Sequence, residues 1–252
     1  NSYHQYLYTM GSNVDDLIAY EPSLLVALWT KDNPSSFHKI HEGSLGNIYV
    51  SQTNGELRTY GQSGTLGAIV NSPLDHSPDD VFEWSDKLFV EQHHNVTSSG
   101  QLGLYFRNSG ALDQSIGFGN DIISMVERTT DELYVFSNDA ANQGKMEIYS
   151  YLGNSFWEPH SIPTGAIRGA HKIDSDRVLV SHDQGLYIYT YSTNSLIQVE
   201  SLPLDNMNYD EVNNLLLFSI GTTVYLYTTE GAQISNHATA NDIDKILVLY
   251  NK

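Results

Sequence analysis

The chain has 252 residues and sets 30 Asp and Glu against 12 Lys and Arg, a formal charge of −18 at pH 7. With 40% hydrophobic residues it can bury a core of its own, and with no cysteine it has no disulfide, thiolate nucleophile or cysteine-held zinc. The acidic balance argues against nucleic acid as a partner, and no apolar run approaches the ~18 residues of a membrane-spanning helix.

Along the chain one pattern returns. A short β-branched or aromatic run comes first, and then a signature of an aliphatic residue, two variable ones and an aromatic. Tyr6-Leu7-Tyr8 precedes Leu17…Tyr20, Ile48-Tyr49-Val50 precedes Leu57…Tyr60, and Leu88-Phe89-Val90 precedes Leu102…Tyr105. Leu133-Tyr134-Val135 precedes Met146…Tyr149, Val178-Leu179-Val180 precedes Leu186…Tyr189, and Leu216-Leu217-Phe218 precedes Val224…Tyr227. Turn residues such as Thr53-Asn54-Gly55, Asn142-Gln143-Gly144 and Asp183-Gln184-Gly185 separate run from signature, and supply the positive φ of hairpins. Beyond each signature a further strand is predicted: Thr65 to Val70, Ala111 to Gly117, Phe156 to Ile162, Leu196 to Leu202, Ala232 to Asn236.

The signature tyrosines fall 38 to 45 residues apart. That is the period of a four-stranded propeller blade. No 3.6-residue apolar period is sustained, so the predicted fold class is all-β: a six-bladed β-propeller of four-stranded antiparallel blades. It is read as a single domain over residues 1–252. The N-terminal unit lacks a first strand and Ile243 to Tyr250 lacks a signature, so the two termini are expected to share one blade and close the ring. Asn120-Asp121-Ile122 and Asn241-Asp242-Ile243 open their segments alike, which supports that register. The rival is a seven-bladed ring with Ile246–Val248 as a second strand.

In this pattern the whole chain resembles six-bladed propellers of the TolB-like kind. It has neither the Trp-Asp ending of WD40 blades nor paired kelch glycines. His41-Glu42-Gly43 through Ile48-Tyr49-Val50 to Leu57-Arg58 looks locally like the first blade of gluconolactonase-type propellers. That resemblance implies a divalent-metal ligand at Glu42, although Ser44 stands where that family has proline and the later Pro-Asn-Gly and Pro-Asp-Gly stretches are missing.

Function in a propeller gathers on the rim where the strand-two-to-three hairpins meet the links between blades. Asp75, His76, His93, His94, Asp139, His182, Asp183 and His237 are the binding candidates there, with Asp79-Asp80 and Glu91 beside them. Asx residues also serve turns through their own backbone bonds, so the histidines are the more informative. His41, Glu42, Glu127, Arg168 and His171 are candidates along the inner strands, where Glu42 and Glu127 could act as acid and base and Arg168 could fix an anion. No nucleophile elbow, His-Glu-x-x-His, phosphate loop or calcium loop occurs.

Three readings follow. The preferred one is a non-catalytic propeller that binds a protein or a small polar or glycan ligand through its rim. The alternatives are a metal-dependent hydrolase or lactonase at the axis and a structural module of a larger surface protein. No cofactor is expected, with a divalent metal, Ca or Zn, as the alternative, and the chain is expected to be a monomer. The opening at Asn1 and the cysteine-free, Tyr- and Asn-rich composition suggest a trimmed, extracytoplasmic product: periplasmic, secreted or at the cell surface.

Overall fold

A computed structural model describes the chain except residues 1–6, 11–15, 22–25, 33–36, 44–46, 73–75, 95–99, 118–119, 205, 211, 242 and 244–252. The chain divides into two compact units, Asn1–Gly119 and Asn120–Lys252. No helix occurs among the described residues.

In the first unit β1 (Leu7–Met10), β2 (Asp16–Glu21) and β3 (Val26–Asp32) form a three-stranded sheet. β4 (Phe37–Glu42), β5 (Ile48–Gln52), β6 (Glu56–Tyr60) and β7 (Leu66–Asn71) form the next sheet, and β8 (His76–Trp84), β9 (Lys87–His94), β10 (Gly100–Phe106) and β11 (Leu112–Gly117) a third. The second unit holds three more four-stranded sheets. They are β12 (Asp121–Thr129), β13 (Glu132–Asn138), β14 (Gly144–Ser150) and β15 (Ser155–Trp157); β16 (Ile167–Lys172), β17 (Arg177–His182), β18 (Gly185–Thr190) and β19 (Ser195–Glu200); and β20 (Asn206–Asp210), β21 (Leu215–Ile220), β22 (Thr223–Thr228) and β23 (Gln233–Ala238). Each sheet is an antiparallel meander in chain order.

The repeated signature has a packing reason. Residues three apart on a strand face opposite sides of the sheet. On β6 Leu57 therefore packs towards Leu88 and Val90 of the following sheet, while Tyr60 packs with Leu17 of the preceding one. On β18 Leu186 joins Leu216 and Phe218 of the following sheet, and Tyr189 joins Phe136 and Ile148 of the preceding one. The core thus lies between sheets, and each of these two signatures grips both of its neighbours. Each such side chain contributes about 1.5–3 kcal/mol through burial.

The phenol oxygens lock the next turn. Tyr149 donates to Asn154 Oδ1 at 3.4 Å, and Tyr189 to Asn194 Oδ1 at 3.3 Å. On β20 Tyr209 repeats the lock with Asn214 at 2.8 Å. These three asparagines all have positive φ, 42°, 47° and 54°, which Asn tolerates in turns.

Two expectations meet a limit. β15 is three residues long and stops at Trp157, short of the strand predicted to Ile162. Pro159 and Pro163 have no N–H to give a ladder, so this segment becomes a link instead. The closing strand at Ile243 to Tyr250 lies outside the described residues except for Ile243, whose carbonyl accepts from Asn206 Nδ2 at 2.5 Å.

Candidate functional site

Two places gather the candidate side chains. The first is the link from β15 to β16, strapped between the hairpins of two sheets. Gln143, in the β13–β14 hairpin, donates to Pro163 O at 3.1 Å and accepts from the Gly165 N–H at 3.1 Å. Gln184, in the β17–β18 hairpin, donates to Thr164 O at 2.6 Å. Gly165 O accepts from the Gly144 N–H at 2.7 Å. Asp183 closes a two-bond pair with Ala166, through Oδ2 at 2.9 Å and through its own N–H at 2.9 Å. Asn138 closes a second pair with Ile167, accepting its N–H at 2.8 Å and donating to its carbonyl at 2.9 Å. From Pro163 to Ile167 every carbonyl, and the N–H groups of Gly165, Ala166 and Ile167, are thus met by side chains and turns.

His182 is fully buried at the end of β17 rather than displayed on a loop. Its Nδ1 accepts the Gln184 N–H at 3.0 Å, which places the ring proton on Nε2. Gly165 lets the link lie on this ring, since a Cβ there would stand 3.0 Å from His182 Cε1 and its φ of +129° disfavours any other residue. Asp183 also binds Arg168 Nε at 2.7 Å, and the Arg168 side chain is 63% exposed. The Ala166 N–H is the largest influence on the Asp183 carboxyl; burial opposes it, the Arg168 guanidinium reinforces it, and the carboxyl is held below the usual carboxylate range. Asp139 accepts the N–H groups of Ala141 at 2.9 Å and Gln143 at 3.0 Å, a turn-forming role.

The second place is a bulge on β8. Pro78 pairs with Gln92 and Val81 with Val90, so Asp79 and Asp80 together stand opposite Glu91 alone. Carboxylate oxygens of the three lie within 4.8 Å of one another. β4 of the neighbouring sheet faces them with basic side chains: Lys39 Nζ is 2.6 Å from Asp79 and 3.5 Å from Asp80, and His38 Nε2 is 3.1 Å from Asp79. His41 Nδ1 is 3.7 Å from Asp80 Oδ1. Burial lowers the His41 imidazole below its ordinary range although Asp80 opposes the shift. For Lys39 burial acts downward, but Asp79 and Asp80 together lift the ammonium above its usual range. Three carboxylates this close are oxygen donors of the kind that hold a cation, and here the Lys39 ammonium stands beside two of them.

No family model matches this sequence, and neither does the sequence of any curated protein. Solved structures do share its fold. The Dos1 propeller superposes with a TM-score of 0.71 at 14% identity over 95% of this chain and 69% of that one. BamB from Moraxella catarrhalis gives 0.59 at 10% identity over 97% and 88%, and a chain of the mitotic checkpoint complex 0.66 at 10% over 97% and 80%. The chain folds as a six-bladed β-propeller.

In propeller terms the inner-strand candidates divide. His41 lies on β4, Glu127 on β12, and Arg168 and His171 on β16, all first strands of their blades. Glu127 Oε1 is 3.9 Å from Lys172 Nζ, a loose surface pair. Glu42 closes β4 opposite Ile48, in a different unit from Glu127 and Arg168, and its side chain lies outside the described residues. Gly43 has a packing reason of its own: a Cβ there would meet the Tyr49 ring at 2.5 Å. Of the rim candidates, Asp75 lies outside the described residues. His76 pairs with His94 and Ser77 with His93 along β8 and β9, and the histidine side chains are likewise not described. His237 is exposed on β23, opposite Val224.

Asp79, Asp80 and Glu91 were expected on a loop and stand instead within strands. Pro78 inside an extended run was the available signal, because proline in a ladder marks an edge or a bulge. Lys39, Gln143 and Gln184 were missed. For the two glutamines the signal was the repeated Gln-Gly that ends both hairpins.

Proposed function

We propose that this propeller is a non-catalytic, extracytoplasmic binding module whose hairpin-and-link surface engages a protein or a small polar or glycan ligand. The strapped link at 163–167 carries this reading. A loop already held by both flanking hairpins loses little conformational entropy on binding, which is how a rigid scaffold supports recognition. Around it Thr164, Arg168 and Gln184 are exposed and offer a hydroxyl, a guanidinium and an amide. The charge of −18 favours a basic partner over nucleic acid. One structural neighbour is a chain of an assembly, the mitotic checkpoint complex, which favours a protein partner.

The test is site-specific photocrosslinking in the cell of origin. A photoreactive side chain at Thr164 should trap a partner or ligand, and the same group at Asn194, in the turn at the other end of its sheet, should not. Equal labelling from both positions overturns the reading, as does saturable turnover of lactones, glycosides or phosphoesters that Arg168→Ala abolishes. Recovery of the chain solely from the cytosolic fraction overturns the extracytoplasmic placement.

A further inference from the structure

We propose that His182 makes the 163–167 link acid-responsive: protonation of its buried imidazole opens the clasps of the β17–β18 hairpin on Thr164 and Ala166, while the clasps from β13 and the β13–β14 hairpin hold. The inference goes beyond the binding surface above, because it needs no ligand and its test reads only the motion of the link.

The blades themselves supply the comparison. His182 pairs with Ile167, the residue before the bulge of β16. The same position is Gln52 opposite Phe37, Gln92 opposite Pro78 and Ser137 opposite Ile122. All four residues are fully buried. Two of the sister residues tie down the link that enters their own blade: Gln92 Nε2 donates to Ser72 Oγ at 3.0 Å, and Ser137 Oγ accepts from Asn120 Nδ2 at 3.4 Å. His182 lies against its entry link at Gly165, yet its Nε2 has no hydrogen-bond partner among the described residues. Of the four side chains, only the imidazole gains a proton and a charge between about pH 8 and pH 5.

Neutral His182 uses Nδ1 to accept the Gln184 N–H. A proton on Nδ1 turns that acceptor into a donor facing a donor, and it places a charge on a ring with no exposure to water. The bond lost is the one that seats Gln184, whose side chain holds Thr164 O, and Asp183 between them holds Ala166. The charged groups around the ring do not replace it. Asp183 attracts an imidazolium but is committed to the Ala166 N–H and to Arg168 Nε, and the Arg168 guanidinium repels a second cation. Tyr187 stands T-shaped to the ring, 5.9 Å between centroids, and carries no charge. Across the link Asp139 is bound to its own turn and Lys145 adds positive charge, while Pro163, Thr164, Gly165 and Ala166 do not titrate. An imidazolium is therefore relieved by letting water in, and the side of the link tied by residues 183 and 184 is the side that gives.

The experiment is amide hydrogen exchange on the full chain at about pH 7.5 and about pH 5, with each rate corrected for its intrinsic pH dependence. Both conditions lie above the range in which Asp183 loses its charge. Protection of the Ala166 N–H, held by Asp183, should fall by about tenfold or more on acidification. That of the Ile167 N–H, held by Asn138, should stay within about twofold. His182→Gln installs the residue that two sister blades use, and it should keep Ala166 protection equal in both conditions. Should that variant not fold, the His182 ring resonances of the parent give a second reading, and their shift with pH should share its midpoint with the loss at Ala166. Unchanged Ala166 protection in the parent overturns the proposal. So does an equal fall in His182→Gln, an equal fall at Ile167, or a ring titration whose midpoint lies apart from that of the link.

Discussion

Asn138→Ala removes both clasps on Ile167 at once. Asn138 is 6% exposed and Ile167 1% exposed, so neither backbone group is readily reached by bulk water. The lost bonds are 2.8 Å to the N–H and 2.9 Å to the carbonyl, both of ordinary strong geometry. Leaving a buried polar group without its partner costs about 1–3 kcal/mol, so the pair together costs about 2–5 kcal/mol. For a chain of this size about 1 kcal/mol moves Tm by roughly 2–4 °C, which puts the expected loss near 5–15 °C. Urea titration at 25 °C measures the free energy, and amide exchange at Ile167 reports the local effect, which should quicken first. Asn138→Asp is the discriminating control. It keeps an acceptor for the N–H but sets a carboxylate against the Ile167 carbonyl, so it should also destabilise despite its matching shape. A loss below about 0.5 kcal/mol with unchanged exchange at Ile167 would refute the reasoning, since the link would then be held by something else.

Gly185→Ala should prevent or severely weaken folding, because its φ is +125° and a Cβ would stand 1.9 Å from Glu200 O. Gly221→Ala, at φ +56° with nothing within 4 Å, should cost only about 1 kcal/mol; equal effects in melting experiments would contradict this. Asp183 is held below its ordinary pKa in the fold, so its contribution is present above the usual aspartate range and is lost as pH falls through the depressed value. Asp183→Asn should therefore flatten the fall in urea midpoint below roughly pH 4, and an unaltered acid limb would contradict the assignment. Tyr209→Phe should cost about 0.5–1.5 kcal/mol through loss of the 2.8 Å bond that holds Asn214 in its turn, and no change in urea midpoint would show that bond to be idle.

The architecture was readable because a strand advertises itself twice. Leu57 and Tyr60, three apart, must face opposite sides, and a motif that buries both faces of a strand already implies sheets stacked on either side. The wheel of blades follows from repeating that demand. What escaped was side-chain direction near the turns. His182 and Asp183 are adjacent in the chain, yet one is buried under Gly165 and the other clasps Ala166 and Arg168. A strand alternates faces at every residue, so a shift of one position separates a packed ring from a surface carboxylate, and hydrophobic periodicity does not report polar residues at that precision. The β8 bulge was hidden for the same reason. One extra residue displaces the alternation, and Asp79 and Asp80 both come to bear on Glu91.

That bulge also separates architecture from chemistry in this chain. Bulges recur on β4, β12 and β16, where first strands meet second strands, though not on β20, so the kink is a recurring feature of the blades. Its chemistry does not repeat. The β4 bulge holds His38, the β16 bulge holds Arg168 clasped by Asp183, and the β8 bulge holds two aspartates over a buried glutamate. A position conserved by the fold but varied in charge from blade to blade is free of the packing constraint that fixes Leu57 or Leu186. The residue there answers to local electrostatics, and on β8 that reaches Glu91, the buried residue opposite the bulge.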